Sequence, residues 1–468
     1  MEVPESPRAR RRTGFPGAAV GLLILLAAAC EGPVGVGEGG PIAFVGVDVI
    51  PMTEDGLVLH DQTVLVEDGR IASVGPRSEQ TLPDGAREID GEGRTLIPGL
   101  ADMHVHLEYF EDPDVLRLFV ANGVTLVRNM DGRPYLLEWR DSVAGGELLG
   151  PTIVTAGPIL DGDPPLRDDN LAIGNAAEAD SIVSAQAATG YDFVKLYTNL
   201  SREAYDAALA AAARHGLPVA GHAPSDVPFG AVLSGSQRSL EHLDGYDALI
   251  ESDDSPFRDG WHWTKLYLAM PADSARIEGA AERTAAADLW NVPTLAVKDA
   301  LVAHDEMMAR LDDPTFVYVP PDVREYWESH THEAGGRLGP DDLDLLAAGR
   351  RNRGALVRAL HRHGAGLLAG TDTPNPFLVP GFSLHEELAS LVTAGLAPSE
   401  ALAAATREPA RFLEMSDERG TIEPGKRADL VLLEASPLDD IANTRSIAGV
   451  MLGGRWLPDP ESLRPPTR

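Results

Sequence analysis

Thr95-Leu-Ile-Pro-Gly-Leu-Ala-Asp102-Met-His104-Val-His106 is an apolar run that ends in polar residues spaced two apart. Alternate residues of a strand point the same way, so such a run reads as a strand whose end presents both imidazoles to one side. Seven more short apolar runs follow, at Thr125–Met130, Thr152–Gly157, Phe193–Tyr197, Pro218–His222, Ser239–Leu243, Val292–Ala296 and Gly366–Asp372. Between several of them lie stretches of helical composition, such as Ala204–Arg214 and Pro340–His361. Parallel strands need crossover connections of this kind, so the pattern predicts an α/β chain, a (β/α)8 TIM-type barrel. The flanks read differently. Ile42–Ile50, the pair of strands around Asp68-Gly69, Ala428–Leu433 and Ile447–Trp456 predict a composite β-sandwich built from both ends of the chain. The expected boundaries are a signal segment at 1–29, a tether at 30–40, half of the sandwich at 41–98, the barrel at 99–415, and the other half with the tail at 416–468.

In a barrel of this kind the chemistry sits at the C-terminal ends of the strands. Besides His104 and His106, those ends carry Lys195, His222, His242 and Asp372. Any one of them alone reads more simply as a hydrogen-bonded histidine, a snorkelling lysine or a helix cap. Their joint placement on strands one, four, five, six and eight points to one site. The His-x-His spacing by itself says little, because His330-Thr-His332 and His361-Arg-His363 share it; both read as solvated surface.

The composition narrows the function. There are 39 Lys+Arg against 72 Asp+Glu in 468 residues, a net charge of −33, which would repel a phosphate backbone and excludes a general nucleic-acid partner. Only Lys195, Lys265, Lys298 and Lys426 are lysines. The single cysteine, Cys30, excludes an intramolecular disulfide framework and a cysteine zinc site. It follows Leu25-Leu-Ala-Ala-Ala29, with Arg8, Arg10, Arg11 and Arg12 ahead of the apolar run. The segment resembles a bacterial lipoprotein signal, which implies export, lipidation at Cys30, and an anchored protein facing the periplasm or cell exterior, with the membrane touched only through that lipid.

The ordered motifs Thr95–His106, Gly370-Thr-Asp-Thr373, Leu384-His-Glu-Glu-Leu388, Ala404-Ala-Thr-Arg-Glu-Pro-Ala410 and Gly420–Leu430 resemble the amidohydrolase superfamily, and within it the imidazolonepropionase-like or prolidase-like group. The resemblance runs from about Ile42 to Trp456. It implies two divalent metal ions, with His104, His106 and Asp372 on the more buried ion, His222 and His242 on the second, and a carboxylated Lys195 bridging them. Neutral imidazole and oxygen ligands suit zinc, with manganese or cobalt as alternatives. A hydroxide shared by the two ions would attack the substrate carbonyl, and Asp372 would act as general acid/base.

Histidine ligands usually hand their second nitrogen to an acceptor, for which Asp102 or Glu241 are placed. The deaminases of the superfamily carry a glutamate near the strand-five histidine, whereas this chain reads His222-Ala-Pro-Ser-Asp226. Lys195 points instead to amides, dipeptides, cyclic ureides or lactones, with a dipeptide or N-acyl amino acid favoured as the small-molecule substrate. Tyr197, two residues past Lys195, and His304, inside a 298–332 insertion long enough to form a lid, are the substrate-binding candidates. The acidic stretch Asp244–Asp254 reads as a solvated face. Three alternatives stay open: a one-metal hydrolase with an uncarboxylated Lys195, a cyclic-amide or lactone hydrolase, and a surface-anchored binding protein with a vestigial site. A homo-oligomer is compatible with all of them.

Overall fold

The computed structural model describes residues 40–465, apart from 261, 302–303 and 333–337. Cys30 and the signal segment therefore lie outside the described residues. No helix among those described is long and apolar enough to cross a membrane.

The chain opens with β1 (Ile42–Val49), β2 (Leu59–Glu67), β3 (Arg70–Pro76), β4 (Arg87–Asp90) and β5 (Thr95–Pro98), and closes with β15 (Leu430–Leu433), β16 (Ile447–Leu452) and β17 (Arg455–Leu457). The two half-sheets expected from the ends meet in one branched sheet, ordered β17-β16-β15-β5-β1-β2-β3 with β4 also paired to β1. Its seam is the antiparallel register Leu430↔Pro98 to Leu433↔Thr95. Alternate side chains give this sheet its own core, in which Phe44, Val64, Leu96, Leu432 and Met451 are buried and Trp456 stands edge-on to Phe44.

The middle of the chain supplies parallel strands in two groups. One consists of β6 (Leu100–Val105), β7 (Val124–Asn129) and β8 (Thr152–Thr155). The other runs β10-β9-β11-β12-β13-β14, from β9 (Leu160–Asp161), β10 (Leu171–Ala172), β11 (Val194–Leu196), β12 (Val219–Gly221), β13 (Gln237–Glu241) and β14 (Trp290–Val292). A parallel bridge Ala156↔Phe193 joins the groups, and bridges Asn291↔Leu367 and Val105↔Thr373 attach the segment 366–373 between β14 and β6. The result is a TIM-barrel-like α/β fold.

Helices return the chain between strands, among them Ala176–Thr189, Arg202–His215, Ser274–Ala286 and Pro340–Arg362. The second begins where Ser201 accepts the Ala204 amide and ends at Gly216 in the left-handed region. Fully buried Leu196, Leu240, Tyr205, Ala208, Leu356 and Leu360 fill the layer between sheet and helices, each large aliphatic contributing about 1.5–3 kcal/mol.

Two of the expected strands differ. The seventh stops at Val292, because Thr294 turns into the left-handed region (φ 45°) and the chain enters the helix Leu295–Asp299. The eighth, expected at Gly366–Asp372, forms no regular ladder, because Asp102 intervenes with its side chain. Its carboxylate takes both the amide and the hydroxyl of Thr371, at 3.0 and 2.7 Å. Backbone bonds Met103 N to Ala369 O and Asp372 N to His104 O still lock that segment against β6.

Candidate metal centre

The six residues singled out at strand ends come together in one buried cluster. His104 Nε2 and His106 Nε2 lie 3.3 and 3.2 Å from Asp372 Oδ1, and His242 Nδ1 lies 3.8 Å from Asp372 Oδ2. The ring of His242 is 4.6 Å from that of His104 and 4.8 Å from that of His222. His104, His242 and Asp372 offer ligand atoms within 4.8 Å of one another, a geometry able to hold a metal ion. Asp372 thus stands between both histidine groups rather than beside His104 and His106 alone.

Each of the four rings is anchored through Nδ1. His104 meets Glu241 at 2.8 Å, His106 meets Glu108 at 2.6 Å, His242 meets the Thr294 hydroxyl at 2.8 Å, and His222 meets Thr198 and Asp244, both at 3.0 Å. A carboxylate can only accept, so Nδ1 of His104, His106 and His222 donates, and Nε2 is the ring atom left to face the cluster. That is the arrangement found around histidines that bind metals. Three buried polar atoms of the cluster have no hydrogen-bond partner, His104 Nε2, Lys195 Nζ and Glu108 Oε2; unmatched nitrogens inside a donor set of imidazoles and a carboxylate fit a cation ligand better than they fit a packed core. His242 (φ 62°) and Asp372 (φ 64°) hold left-handed backbone, a cost of about 1–3 kcal/mol each that clusters at functional sites.

The electrostatics follow from burial and neighbours. Burial would raise the Asp372 carboxyl, but His242 and His104 hold it well below the usual carboxylate range. Burial would lower His106, but Glu108 and Asp372 hold it up at about 10. Burial draws the Lys195 amine down to about 8, against the pull of Glu241 and Asp372.

Of the two proposed acceptors, Glu241 orients His104, whereas Asp102 serves Thr371. Asp244, expected on a solvated face, instead bonds His222. Tyr197 packs its ring 4.3 Å from His222 and sits half-buried at the rim of the cluster. His304 opens the helix His304–Arg310, but its side chain lies outside those described. Of the described part of the insertion, Met307, Phe316, Val323 and Trp327 pack with Phe377 and Val379, and Trp327 Nε1 donates to Pro374 O at 3.0 Å, two residues past Asp372. His361 and His363 turn to different carboxylates, Glu400 and Glu278.

Three contributors escaped the sequence reading. Arg128, mid-strand and fully buried, donates to Glu241, Ser239 Oγ and Met103 O; a charged residue inside an apolar run was its signal. Lys298, one of four lysines, lies on the helix Leu295–Asp299, with Asp244 and Asp372 of the cluster among the charges that act on it. Glu387, fully buried, accepts the Ala296 amide at 2.7 Å and so fixes that helix.

Burial raises the Glu387 carboxyl to about 8, more than the Ala296 and Leu295 amides lower it. Between its ordinary 4.5 and about 8 the folded chain holds a proton that the unfolded chain has lost. This stabilisation is complete below 4.5 and disappears as pH rises through 8. Glu387→Gln, which cannot ionise, is therefore expected to gain on the wild type in urea midpoint from pH 5.5 to pH 8.5. A gap independent of pH would refute the assignment.

A TIM-barrel-like fold with a histidine–aspartate cluster at its strand ends defines the amidohydrolases, and the amidohydrolase family matches residues 95–457. The chain belongs to that family. Among its relatives are the 5-methylthioadenosine/S-adenosylhomocysteine deaminase of Symbiobacterium thermophilum, 27% identical with 84% of this chain and 85% of that protein covered, and the imidazolonepropionase of Mesorhizobium japonicum, 26% identical with 87% and 90% covered. Among solved structures, bottromycin amidohydrolase superposes with a TM-score of 0.71 at 26% identity, covering 90% of this chain and 88% of that one. A putative prolidase from Bifidobacterium longum gives 0.65 at 24% identity, covering 91% and 98%, and bears on the fold alone.

Proposed function

We propose that this chain is a metal-dependent hydrolase cleaving the amide C–N bond of a dipeptide or N-acyl amino acid. The observation that carries the reading is the set of four imidazoles, each tethered through Nδ1 and converging on Asp372 and Lys195. His104, His106 and Asp372 would hold one divalent cation, His222 and His242 a second, and Lys195 would join them as a carbamate. Bound there, such cations, zinc best suited to the donors, supply Lewis acidity that lowers the pKa of water toward about 7 and polarises a carbonyl.

The remaining steps belong to the chain's own groups. Asp372, held ionised by His104 and His242, takes a proton from the attacking water as the C–O bond forms. It returns that proton to the leaving nitrogen as the C–N bond breaks. Tyr197, half-buried beside His222, is placed to meet the substrate.

The deaminase relative makes deamination the competing chemistry. Two features favour amide cleavage: no glutamate follows His222 in His222-Ala-Pro-Ser-Asp226, and a lysine stands on β11. A panel of dipeptides and N-acetyl amino acids, assayed for amine release, tests the proposal. Turnover of at least one member is expected, falling about 100-fold after chelation and returning with zinc. Chelator-insensitive turnover, or ammonia release from adenine nucleosides alone, would overturn it.

A further inference from the structure

Lys298 lies on the helix Leu295–Asp299, directly beyond β14 and so on the same face as the six clustered residues. Several contacts fix that helix. Thr294 bends the chain and bonds His242, Glu387 takes the Ala296 amide, and Asp299 binds Arg350 and Arg353 at 3.1 and 2.7 Å. The adjacent carboxylate is thereby already paired with two guanidinium groups. The Lys298 side chain is nine-tenths buried, and among the described residues its ammonium makes no hydrogen bond or ion pair. Its one recorded contact is with the face of Tyr267, 5.5 Å away.

An ammonium with no hydrogen bond or ion pair is left to a trace of solvent and one aromatic face, which supplies only part of a counter-charge. The charges that act on Lys298 are Asp244, Arg353 and Asp372. Of these, Asp244 is held by His222 and Asp372 by three histidines, while Arg353 repels. The two carboxylates belong to the centre itself, so the ammonium stands within electrostatic reach of whatever reacts there. Lys298 is thus, beside Lys195, a second amine at the site with no hydrogen-bonded or ion-paired protein anion among the described residues, in a chain of net charge −33 that uses lysine four times.

We propose that Lys298 is the specificity-determining residue that pairs with a carboxylate of the substrate, so that the site selects acyl amino acids bearing a free carboxylate over the matching carboxamides. This rests on the reading of the cluster as the amide-cleaving centre. The pairing fits the chemistry of the residue. A compact ammonium set over the Tyr267 ring offers one charge-assisted donor, and substrate arrival supplies the missing counter-charge.

The test compares N-acetyl-proline, -leucine, -glutamate and -arginine with their C-terminal amides, in the full chain and in Lys298→Met. Dissociation constants come from calorimetry, and kcat and KM from amine release. The wild type is expected to bind at least one acid about 10- to 100-fold more tightly than its amide. In Lys298→Met that ratio should fall to within about twofold, with the loss in KM rather than kcat and amide binding unchanged. If the Met variant does not fold, Lys298→Arg replaces it and must keep the acid preference. Equal binding of acid and amide by the wild type, or an undiminished ratio in Lys298→Met, overturns the inference. Lys298-dependent acid binding without any amide cleavage would instead sink the hydrolase reading and leave this one standing. Cleavage of acids and amides alike would do the reverse.

Discussion

Asp372→Ala and Asp372→Asn are each expected to lower kcat/KM for amide cleavage by about 10³-fold or more, at the upper end of what a positioned acid/base group contributes. Three imidazoles converge on this one carboxylate, through Oδ1 for His104 and His106 and through Oδ2 for His242. Alanine removes both the proton carrier and the anion that balances those rings. Asparagine keeps the shape and the contacts to His104 and His106 but cannot take a proton. The two variants therefore separate chemistry from architecture: if Asp372 moves the proton, asparagine is nearly as inactive as alanine, with a melting temperature close to wild type. Turnover above about a tenth of wild type in either variant would remove Asp372 from the reaction.

That carboxylate was readable in the sequence because a strand end is a local feature. Gly366–Asp372 is an apolar run that stops at an acid, and Asp102-Met-His-Val-His106 alternates as a strand must. Such signals need only neighbouring residues and the rule that a barrel works at its C-terminal rim. What was not readable depends on pairs distant in sequence. Arg128 and Glu241 are 113 residues apart, and Glu387 and Ala296 are 91 apart. Neither member of a pair announces the other.

The expected seventh strand shows the same limit. Val292-Pro-Thr-Leu-Ala296 has the composition of a buried strand, yet the Thr294 backbone and the Glu387 carboxylate turn its second half into a helix. Lys298 stands in the sequence only as one of four lysines, at the start of the long insertion. Its rarity in this chain was the one clue, and rarity does not say where a side chain points. His361-x-His363 shares the spacing of the metal-site pair, but on a helix that spacing turns the rings apart, here toward two different carboxylates.

Lys195→Ala is expected to reduce bound metal from about two ions per chain to one or none, measured by plasma mass spectrometry on protein produced with bicarbonate, and to remove amide turnover with it. The structure gives this lysine no other occupation. Its Nζ is buried without a hydrogen-bond partner on β11, with Glu241, Asp372, Arg128 and Asp244 as the charges that reach it. A structural lysine would be ion-paired or would extend to solvent. Addition of the neutral amine to carbon dioxide forms one N–C bond and releases one proton. It leaves a carbamate whose two oxygens carry negative charge where the free ammonium would carry positive charge. Only that inversion would let the residue act as a ligand between the His104–His106 side and the His222–His242 side.

The truncation also leaves a space the length of the side chain, which a short carboxylate can enter. Added propionate is therefore expected to restore part of the metal content and of the turnover in Lys195→Ala. Retention of both ions in the variant without propionate would show that the lysine is no bridge. The site would then have to be read as four histidines and one aspartate holding their cations alone, with Lys195 acting only as a buried charge.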